Sequence, residues 1–279
     1  MSISVLMAVY RSEKAEYLQR ALTSVWDDQS LTPDEIVLVQ DGPVGDELLA
    51  VIAEWQQKLG DKLNLIVNES NIGLTKSLNK GIACIVSDFI ARMDSDDVSH
   101  PLRFERQVAY LEQHDDVDIV GGALQEFDDE NECLNVRHYP LTNDEVLRYI
   151  YKASPLAHPT VMMRRRLFDK GLRYDERYRT SQDIALWYDA LCAGHKIGNV
   201  EEITINFRRA GDVFKRRSRE KAFNEYKIYV NGIRRLYGAV TWRYIYPLAR
   251  LAFRLMPVSV VKRIYGSRLR KSVLEKSSK

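Results

Sequence analysis

Three carboxylates stand close together in the segment FIARMDSDDVSH, which runs from Phe89 to His100. Asp94, Asp96 and Asp97 follow a short apolar run that predicts a buried strand. Because like charges at this spacing repel one another, a folded chain tolerates them best when a cation neutralises them. Carboxylate oxygens suit Mg²⁺ and Mn²⁺, and Mg²⁺ in proteins is often shared with substrate phosphates. The segment therefore predicts a divalent metal site.

A second interpretation of these carboxylates needs no metal. Asp96 or Asp97 could cap the helix that follows, where the helix dipole favours an acidic side chain. Spacing alone does not decide between the two. The position directly after a strand favours the metal, because ligands of open α/β sheets bind at the carboxyl ends of strands.

The apolar pattern predicts the elements that must position this cluster. Ile3 to Val9, Ile36 to Val39 and Leu63 to Val67 are rich in β-formers and have the apolar character of strands in a parallel sheet. Helical patterns lie between them, and such alternation predicts right-handed crossovers and a parallel sheet. With 279 residues, 45% of them hydrophobic, the chain can form one large α/β domain and an appendage.

Two further sites at predicted element ends could bind parts of a nucleotide. Asp41, just after the second strand, could accept hydrogen bonds from a nucleoside, although an Asp-Gly turn is the simpler interpretation. Gly73, Lys76 and Asn79 lie where the segment Asn71 to Leu74 opens a helix, and helix-start amides with an ammonium group can bind an anion. A plain Asn or Gly cap is the alternative there.

Five segments together carry a resemblance to a known family. SVLMAVYRSE, EIVLVQDGP, NIGLTKSLNKGI, FIARMDSDD and SQDIALW occur in this order within about residues 1 to 207. In order and rough spacing they resemble the family 2 glycosyltransferases, nucleotide-sugar-dependent enzymes of the GT-A fold. The resemblance implies an α/β fold with a Rossmann-like, mostly parallel central sheet flanked by helices. It makes FIARMDSDD the DXD segment, with Asp94 and Asp96 binding Mn²⁺ or Mg²⁺.

The resemblance also implies roles for single residues. Asp183 would be the catalytic base of an acidic pair in which Gln182 replaces the usual Glu, whereas the residues alone explain Asp183 as a cap or first-turn acid. Leu78 replaces an Arg that many relatives carry, so a phosphate contact could fall to Lys76. A single His before Pro is more often structural, but His158 could contact a phosphate or hydroxyl of the donor. The expected nucleotide-sugar contacts are Ala8, Tyr10, Asp41, Gly73, Lys76, Asn79, Asp94, Ser95 and His158.

The charge of the chain is divided unevenly. Residues 208 to 279 hold 20 Lys or Arg against 4 Asp or Glu, a net of +16, whereas residues 1 to 207 hold 21 and 35, a net of −14. We predict a catalytic domain over 1–207 and a basic, amphipathic helical region over 208–279. Arg243, Arg250 and Arg254 share one helical stripe, which suits an anionic bilayer surface. The alternative is a helix packed on the catalytic body with its arginines in solvent.

The cysteines and the N-terminus bear on the compartment. Cys84, Cys133 and Cys192 are scattered without a CxxC pair, which favours a reducing compartment and argues against a zinc site or disulfide framework. The start of the chain has no basic leader, and no run reaches the roughly 18 apolar residues of a membrane span. We therefore expect a cytoplasmic protein, attached peripherally to the inner face of the membrane.

The leading functional prediction is an inverting, metal-dependent glycosyltransferase. It would move a single galactose or glucose from a UDP-sugar to a lipid-linked saccharide, with undecaprenyl diphosphate as the carrier. Resemblance to small enzymes of O-antigen and amylovoran-type exopolysaccharide synthesis is the ground for this pathway. One alternative is a sugar nucleotidyltransferase, although AVYRSEKAE lacks the expected Gly-rich loop. Another, a nucleic-acid-binding protein, fits the basic tail but not the acidic body.

Overall fold

The computed structural model describes residues 1–128, 132–209 and 218–256. By its internal contacts the chain divides into two compact units, residues 1–210 and 211–279. The basic run Lys215 to Arg217 and the predicted helical pattern beyond Met256 lie outside the described residues. The assignment of separate functions to residues 1–207 and 208–279 stays a prediction.

Strands and helices alternate through the larger unit. The strands are β1 (Ile3–Val9), β2 (Glu35–Gln40), β3 (Leu63–Val67), β4 (Phe89–Asp94), β5 (Val98–Ser99), β6 (Val117–Phe127), β7 (Cys133–Arg137), β8 (Met162–Arg164) and β9 (Lys196–Arg208). The α-helices are α1 (Ala15–Trp26), α2 (Asp46–Leu59), α3 (Leu74–Cys84), α4 (Arg103–Gln113), α5 (Asn143–Tyr149), α6 (Arg166–Asp169) and α7 (Gln182–Cys192). Short 3₁₀ turns cover Gly60–Lys62 and His158–Thr160.

One sheet of nine strands joins these elements in the order β3-β2-β1-β4-β8-β6-β9-β5, with β7 paired to β6. The first four strands in this order are parallel, as predicted. Beyond them β8 runs antiparallel to both β4 and β6, so the sheet as a whole is mixed. The predicted α/β class, with a sheet flanked by helices, is confirmed.

The core forms because the central strands are apolar on both faces. Val5 and Met7 of β1 and Ile36 and Leu38 of β2 are fully buried, and Leu22 of α1 is buried in the same cluster. Burial of each such side chain contributes roughly 1.5–3 kcal/mol before conformational entropy is subtracted. The parallel strands are thereby held in fixed register.

That register brings three predicted site residues to one edge of the sheet. Ala8 lies opposite Asp94 on one side and Val39 on the other. The backbone N–H of Asp41 donates to the carbonyl of Val9 at 2.8 Å. The carboxyl ends of β1, β2 and β4 therefore meet, as expected for a ligand site in an α/β sheet.

The described part of the smaller unit contains α8 (Arg219–Tyr237), a 3₁₀ turn (Trp242–Tyr244) and α9 (Ile245–Leu255). Arg250 Nη1 and Arg254 Nη2 each lie 2.7 Å from an oxygen of Glu225, a residue of α8 that is 3% exposed. Arg250 and Arg254 of the predicted stripe thus pair with α8, although their side chains stay 33% and 41% exposed.

Candidate active site

The acidic cluster is compact enough to hold one metal ion. One oxygen from each of Asp94, Asp96 and Asp97 lies within 4.8 Å of the others. Asp94 and Asp96 are half-buried, whereas Asp97 is fully buried at the end of the loop. Asp94 and Asp96 therefore remain accessible to a ligand, whereas Asp97 supports the loop from the protein interior.

Burial and crowding raise the pKa values of Asp96 and Asp97. Burial first, and then the charges of Asp94 and Glu13, raise the pKa of Asp96 to about 6. Burial, followed by Asp94 and Asp96, raises the pKa of Asp97 well above its ordinary value. A hard divalent cation would relieve this repulsion, and carboxylate oxygens are the donors that Mg²⁺ and Mn²⁺ prefer. The residues present thus fit the predicted metal.

A buried arginine lies beside the cluster. Arg92 is 2% exposed in β4, and its Nη2 donates to the carboxylate of Asp94. Burial acts to lower the pKa of Arg92, but its interactions with Asp94 outweigh this effect and the pKa is raised. The guanidinium of buried Arg103 donates to the Arg92 carbonyl at 2.8 Å. The end of β4 is therefore held by charged groups inside the core.

Arg208, at the end of β9, fixes the other side of the acidic loop. Its backbone N–H donates to Asp97 Oδ1 at 2.8 Å, and its Nε donates to the Asp96 carbonyl at 3.0 Å. The guanidinium lies 3.9 Å from the ring centre of Tyr17 and 4.5 Å from that of Phe127. This residue, predicted to begin the basic tail, instead belongs to the candidate site.

Glu13 contacts the loop from the β1–α1 connection. The Ser95 hydroxyl donates to Glu13 Oε2 at 2.5 Å, and the Glu13 carboxylate also acts on the pKa of Asp96. The Ser95 hydroxyl is therefore already bonded within the protein. Its predicted contact with a nucleotide sugar stays a prediction. Glu13, Arg92 and Arg208 thus each contact a residue of the loop that carries the predicted ligands.

Asp41 holds the loop that opens α3. Its Oδ1 accepts from the N–H of Ile72 at 2.8 Å and from Asn68 Nδ2 at 3.1 Å, while its Oδ2 accepts from the N–H of Gly73 at 2.9 Å. The next residue, Gly42, has φ +88°, and a Cβ there would meet Asn71 N at 2.6 Å. The predicted Asp-Gly turn is therefore also a support for the loop that carries Gly73.

Asp41→Asn tests this support. The amide keeps the size of the side chain but has one acceptor oxygen, so Ile72 or Gly73 loses its partner. We expect the free energy of unfolding to fall by about 1–2 kcal/mol, measured by urea denaturation. Asp61→Asn, at an exposed position, is the control. An equal stability of the two variants would contradict the support role.

Helix α3 positions the segment that carries Tyr174. Asn79 Nδ2 donates to the Tyr174 carbonyl at 2.9 Å, and Asn79 Oδ1 accepts from the Tyr174 N–H at 3.0 Å. Thr75 Oγ1 donates to the Tyr178 carbonyl at 2.7 Å. Lys76 is exposed near the start of the same helix. Lys76 is therefore accessible to an anion, whereas Asn79 is engaged with the 174–178 segment.

His158 is buried and bonded to Tyr174. The His158 Nε2 to Tyr174 Oη distance is 2.7 Å, and the imidazole meets the Trp187 ring edge-on at 6.1 Å between centroids. Burial, and then the charge of Arg92, lower the pKa of His158 well below its ordinary value. The imidazole is thus neutral and orients Tyr174, and the predicted donor contact of His158 stays a prediction.

The charges of Asp94 and Asp183 both act on the phenol of Tyr174. Burial raises the pKa of the Tyr174 phenol, Arg92 acts to lower it, and the charges of Asp183 and Asp94 raise it further. Asp183 lies in the first turn of α7 and is half-buried. Ser181, just before α7, has φ +61° without being glycine, which is a strained conformation. The strained turn directly precedes Asp183, whose charge acts on Tyr174 together with that of Asp94.

The structure thus brings Ala8, Asp41, Asp94 and Asp96 to one sheet edge. Asp183 lies near enough for its charge and that of Asp94 to act on the same phenol, that of Tyr174. Tyr10 is exposed just beyond β1. Sequence reasoning missed Glu13, Arg92 and Arg208 as members of the site. A signal existed for Arg92, because an arginine inside the apolar run FIARM needs a buried partner.

Solved structures identify the fold. The chain resembles the TarS 1-349 fragment of S. aureus with a TM-score of 0.65 at 21% identity, covering 91% of this chain and 71% of that one. The same fragment has been solved in complex with UDP-GlcNAc. The likeness shows the fold, which is that of the GT-A transferases.

The family follows from the sequence as a whole. The model described as Glycosyl transferase family 2 matches residues 4–172, and the chain belongs to this family. It is 34% identical to the amylovoran biosynthesis glycosyltransferase AmsE of Erwinia amylovora over 94% of this chain and 97% of that protein. It is 29% identical to a UDP-Gal:alpha-D-GlcNAc-diphosphoundecaprenol beta-1,3-galactosyltransferase of Escherichia coli, covering 96% of each.

The predicted resemblance is therefore confirmed. The protein is a glycosyltransferase related to enzymes of polysaccharide biosynthesis. This membership favours the transferase interpretation over the nucleotidyltransferase and nucleic-acid-binding ones. Across residues 1–128, 132–209 and 218–256, no helix combines the length and apolarity needed to cross a membrane.

Proposed function

We propose that the protein transfers one sugar, galactose or glucose, from a UDP-sugar to a lipid-linked saccharide, with inversion at the anomeric carbon. The observation that carries this proposal is the pair Asp94 and Asp96, half-buried at the carboxyl edge of the sheet and close enough together to hold one metal ion. The pathway would be the assembly of a bacterial surface polysaccharide of the O-antigen or exopolysaccharide type.

Asp94 and Asp96 would hold Mn²⁺ or Mg²⁺ in this DXD segment. When bound, the ion would act as a Lewis acid that stabilises the charge on the departing diphosphate. Arg92 holds the Asp94 carboxylate from the core side, and Arg208 holds the loop through Asp97 and the Asp96 carbonyl. These contacts keep the two ligands in place before a nucleotide arrives, which reduces the reorganisation needed on binding.

Asp183 would be the general base. The acceptor hydroxyl must lose its proton as it attacks the anomeric carbon, and a half-buried carboxylate at hydrogen-bond distance can take it. A base on the face opposite the leaving diphosphate gives a single in-line displacement. One displacement inverts the configuration of the donor sugar.

The donor assignment rests on the relatives and on the sheet edge. The E. coli relative uses UDP-Gal by its name, and TarS has been solved with UDP-GlcNAc. In this chain Ala8, Tyr10 and Asp41 would line the nucleoside pocket. Exposed Lys76 would meet the diphosphate. Lesser contacts are proposed for Gly73, Asn79, Ser95 and His158, whose polar groups are bonded within the protein.

The acceptor assignment places the reaction at a membrane. The E. coli relative is named for a diphosphoundecaprenol acceptor, and a lipid carrier of this kind confines the growing saccharide to a bilayer surface. We propose that the enzyme works on the cytoplasmic face, attached peripherally through its basic C-terminal region.

A donor panel tests the proposal without knowledge of the acceptor. The full-length chain is incubated with Mn²⁺ and, separately, UDP-Gal, UDP-Glc, UDP-GlcNAc and GDP-mannose, and free nucleotide is measured. We expect slow hydrolysis of UDP-Gal or UDP-Glc that increases when GlcNAc-diphosphoundecaprenol is added. Selective release of GDP, or release that is insensitive to removal of the metal by EDTA, would contradict the proposal.

A further inference from the structure

An exposed apolar stripe runs along α9. Ile245, Leu248 and Leu255 are 62%, 51% and 39% exposed, and Ala252 between them is also exposed. Their spacing of three to four residues places them on one face of the helix. Trp242, 61% exposed in the preceding 3₁₀ turn, lies at the N-terminal end of this stripe.

The ion pairs with α8 decide which face of α9 points outward. Glu225 is almost completely buried, and both Arg250 and Arg254 reach it. A buried carboxylate is costly without such partners, so rotation of α9 that removed both arginines would leave Glu225 uncompensated. Arg250 also lies over the Tyr229 ring at 5.2 Å. Both arginines therefore lie on the face of α9 that meets α8, and the apolar stripe lies on the opposite face.

Charge favours one occupant for this stripe. Residues 257–279, directly after α9, hold 7 Lys or Arg and 1 Glu. A partner that bound both this segment and the stripe would need negative charge at its surface for the basic residues and an apolar layer beneath it for the stripe. An anionic lipid bilayer has both properties, and an apolar helix face next to a basic segment supplies the two signals that stable peripheral binding needs.

We propose that α9 lies in the interface of an anionic bilayer with the stripe Ile245, Leu248, Ala252 and Leu255 facing the acyl chains. Arg250 and Arg254 do not contact lipid; they fix the orientation of the helix through Glu225. The positive charge that attracts the membrane comes instead from residues 257–279. This inference rests on the proposed function, since a lipid-linked acceptor requires the enzyme at a bilayer.

A vesicle-binding experiment tests the stripe. The full-length chain and the variant Ile245→Ser/Leu248→Ser are sedimented with vesicles of phosphatidylethanolamine and phosphatidylglycerol, or of phosphatidylcholine alone. We expect the wild type to bind the anionic vesicles and the variant to bind them at least about tenfold more weakly, because two exposed apolar side chains no longer enter the interface. Phe223→Ser, which removes an exposed apolar side chain from α8, is the matched control and should bind as the wild type does.

Two other occupants of the stripe give different results. If a second copy of the chain covers the stripe, sedimentation velocity will show a dimer for the wild type and a monomer for the variant. The two proteins will then bind the anionic vesicles equally. If the catalytic unit covers it, the variant will lose thermal stability and keep its vesicle binding. Either result, or equal loss for Phe223→Ser, overturns the proposal.

Nucleotide release separates this inference from the proposed function. Hydrolysis of the UDP-sugar in solution requires the acidic loop but no membrane. We expect the Ile245→Ser/Leu248→Ser variant to keep the wild-type hydrolysis rate while it loses vesicle binding. A wild type that binds vesicles through the stripe but hydrolyses no UDP-sugar would refute the proposed donor and leave the stripe assignment standing.

Discussion

Asp183→Asn is expected to abolish sugar transfer while the enzyme still binds its nucleotide. The amide has the size of the carboxylate but cannot accept the proton of the acceptor hydroxyl, and loss of a general base costs about 10²- to 10⁴-fold in rate. The fall should appear in kcat, with KM for the UDP-sugar changed only a few fold. Steady-state release of UDP in the presence of the lipid-linked acceptor measures the rate, and calorimetry with UDP and Mn²⁺ measures binding.

The same helix offers a control for this experiment. Asp189 is also a half-buried carboxylate of α7, so Asp189→Asn changes the charge of the helix equally without touching its first turn. We expect that variant to keep transfer within about threefold of the wild type, because charges of this kind act weakly at a distance. Comparable turnover by Asp183→Asn would dismiss Asp183 as the base.

The parallel half of the sheet could be predicted from sequence because it depends on local patterns. Leu63 to Val67 was predicted with its observed limits, and Ile3 to Val9 likewise. Short, nearly continuous apolar runs rich in β-formers are typical of strands buried on both faces, and the helical patterns between them predict parallel crossovers. The alignment of Ala8 with Asp94 then follows from parallel pairing in register.

The pairing of β6, β8 and β9 could not be predicted from the sequence, because these strands pair with residues that are distant in the chain. Residues 196–200, the first part of β9, form a strand because they pair with β6. Arg208 looked like the first residue of a basic tail. Only the tertiary contact with Asp97, 111 residues earlier, shows that it closes the acidic loop. Side-chain pairing across such separations leaves no local pattern.

The face of α9 illustrates a related limit. Spacing correctly placed Arg250 and Arg254 on one side of the helix, but it could not say which side meets the rest of the protein. The single buried carboxylate of Glu225 decides this, because it takes both arginines. Glu225, an acidic residue in a basic segment, was therefore the signal that indicates which side of α9 faces α8.

Asp96→Asn and Asp94→Asn are expected to have opposite effects on the metal-free protein. Burial and the neighbouring charges of Asp94 and Glu13 raise the pKa of Asp96 to about 6, so its ionised form is disfavoured in the folded state. The sign follows from linkage: a carboxylate with a raised folded pKa favours folding below about pH 4, and this contribution is lost as pH rises through 6. At pH 7.5 the neutral Asn should therefore raise the free energy of unfolding, by at most about 3 kcal/mol.

Asp94→Asn acts in the other direction because it leaves a buried cation. Arg92 is 2% exposed and has Asp94 as its ion-pair partner, so removal of the negative charge should lower the free energy of unfolding by about 1–3 kcal/mol. Thermal denaturation in EDTA at pH 5 and pH 7.5 measures both variants. The advantage of Asp96→Asn over the wild type should shrink at pH 5, where the wild-type carboxyl becomes protonated.

Addition of Mn²⁺ with UDP should then stabilise the wild type more than either variant. A ligand that binds only the folded state stabilises it by RT ln(1 + [L]/Kd), so the wild type should gain about 2.7 kcal/mol at a ligand concentration of 100 Kd. Both variants lack one carboxylate ligand and should gain far less, whereas Glu112→Gln, at an exposed position of α4, should respond as the wild type does. If Asp96→Asn gained as much as the wild type, the cluster would not hold the metal, and the repulsion among its carboxylates would have to be relieved by Arg92 and Arg208 alone.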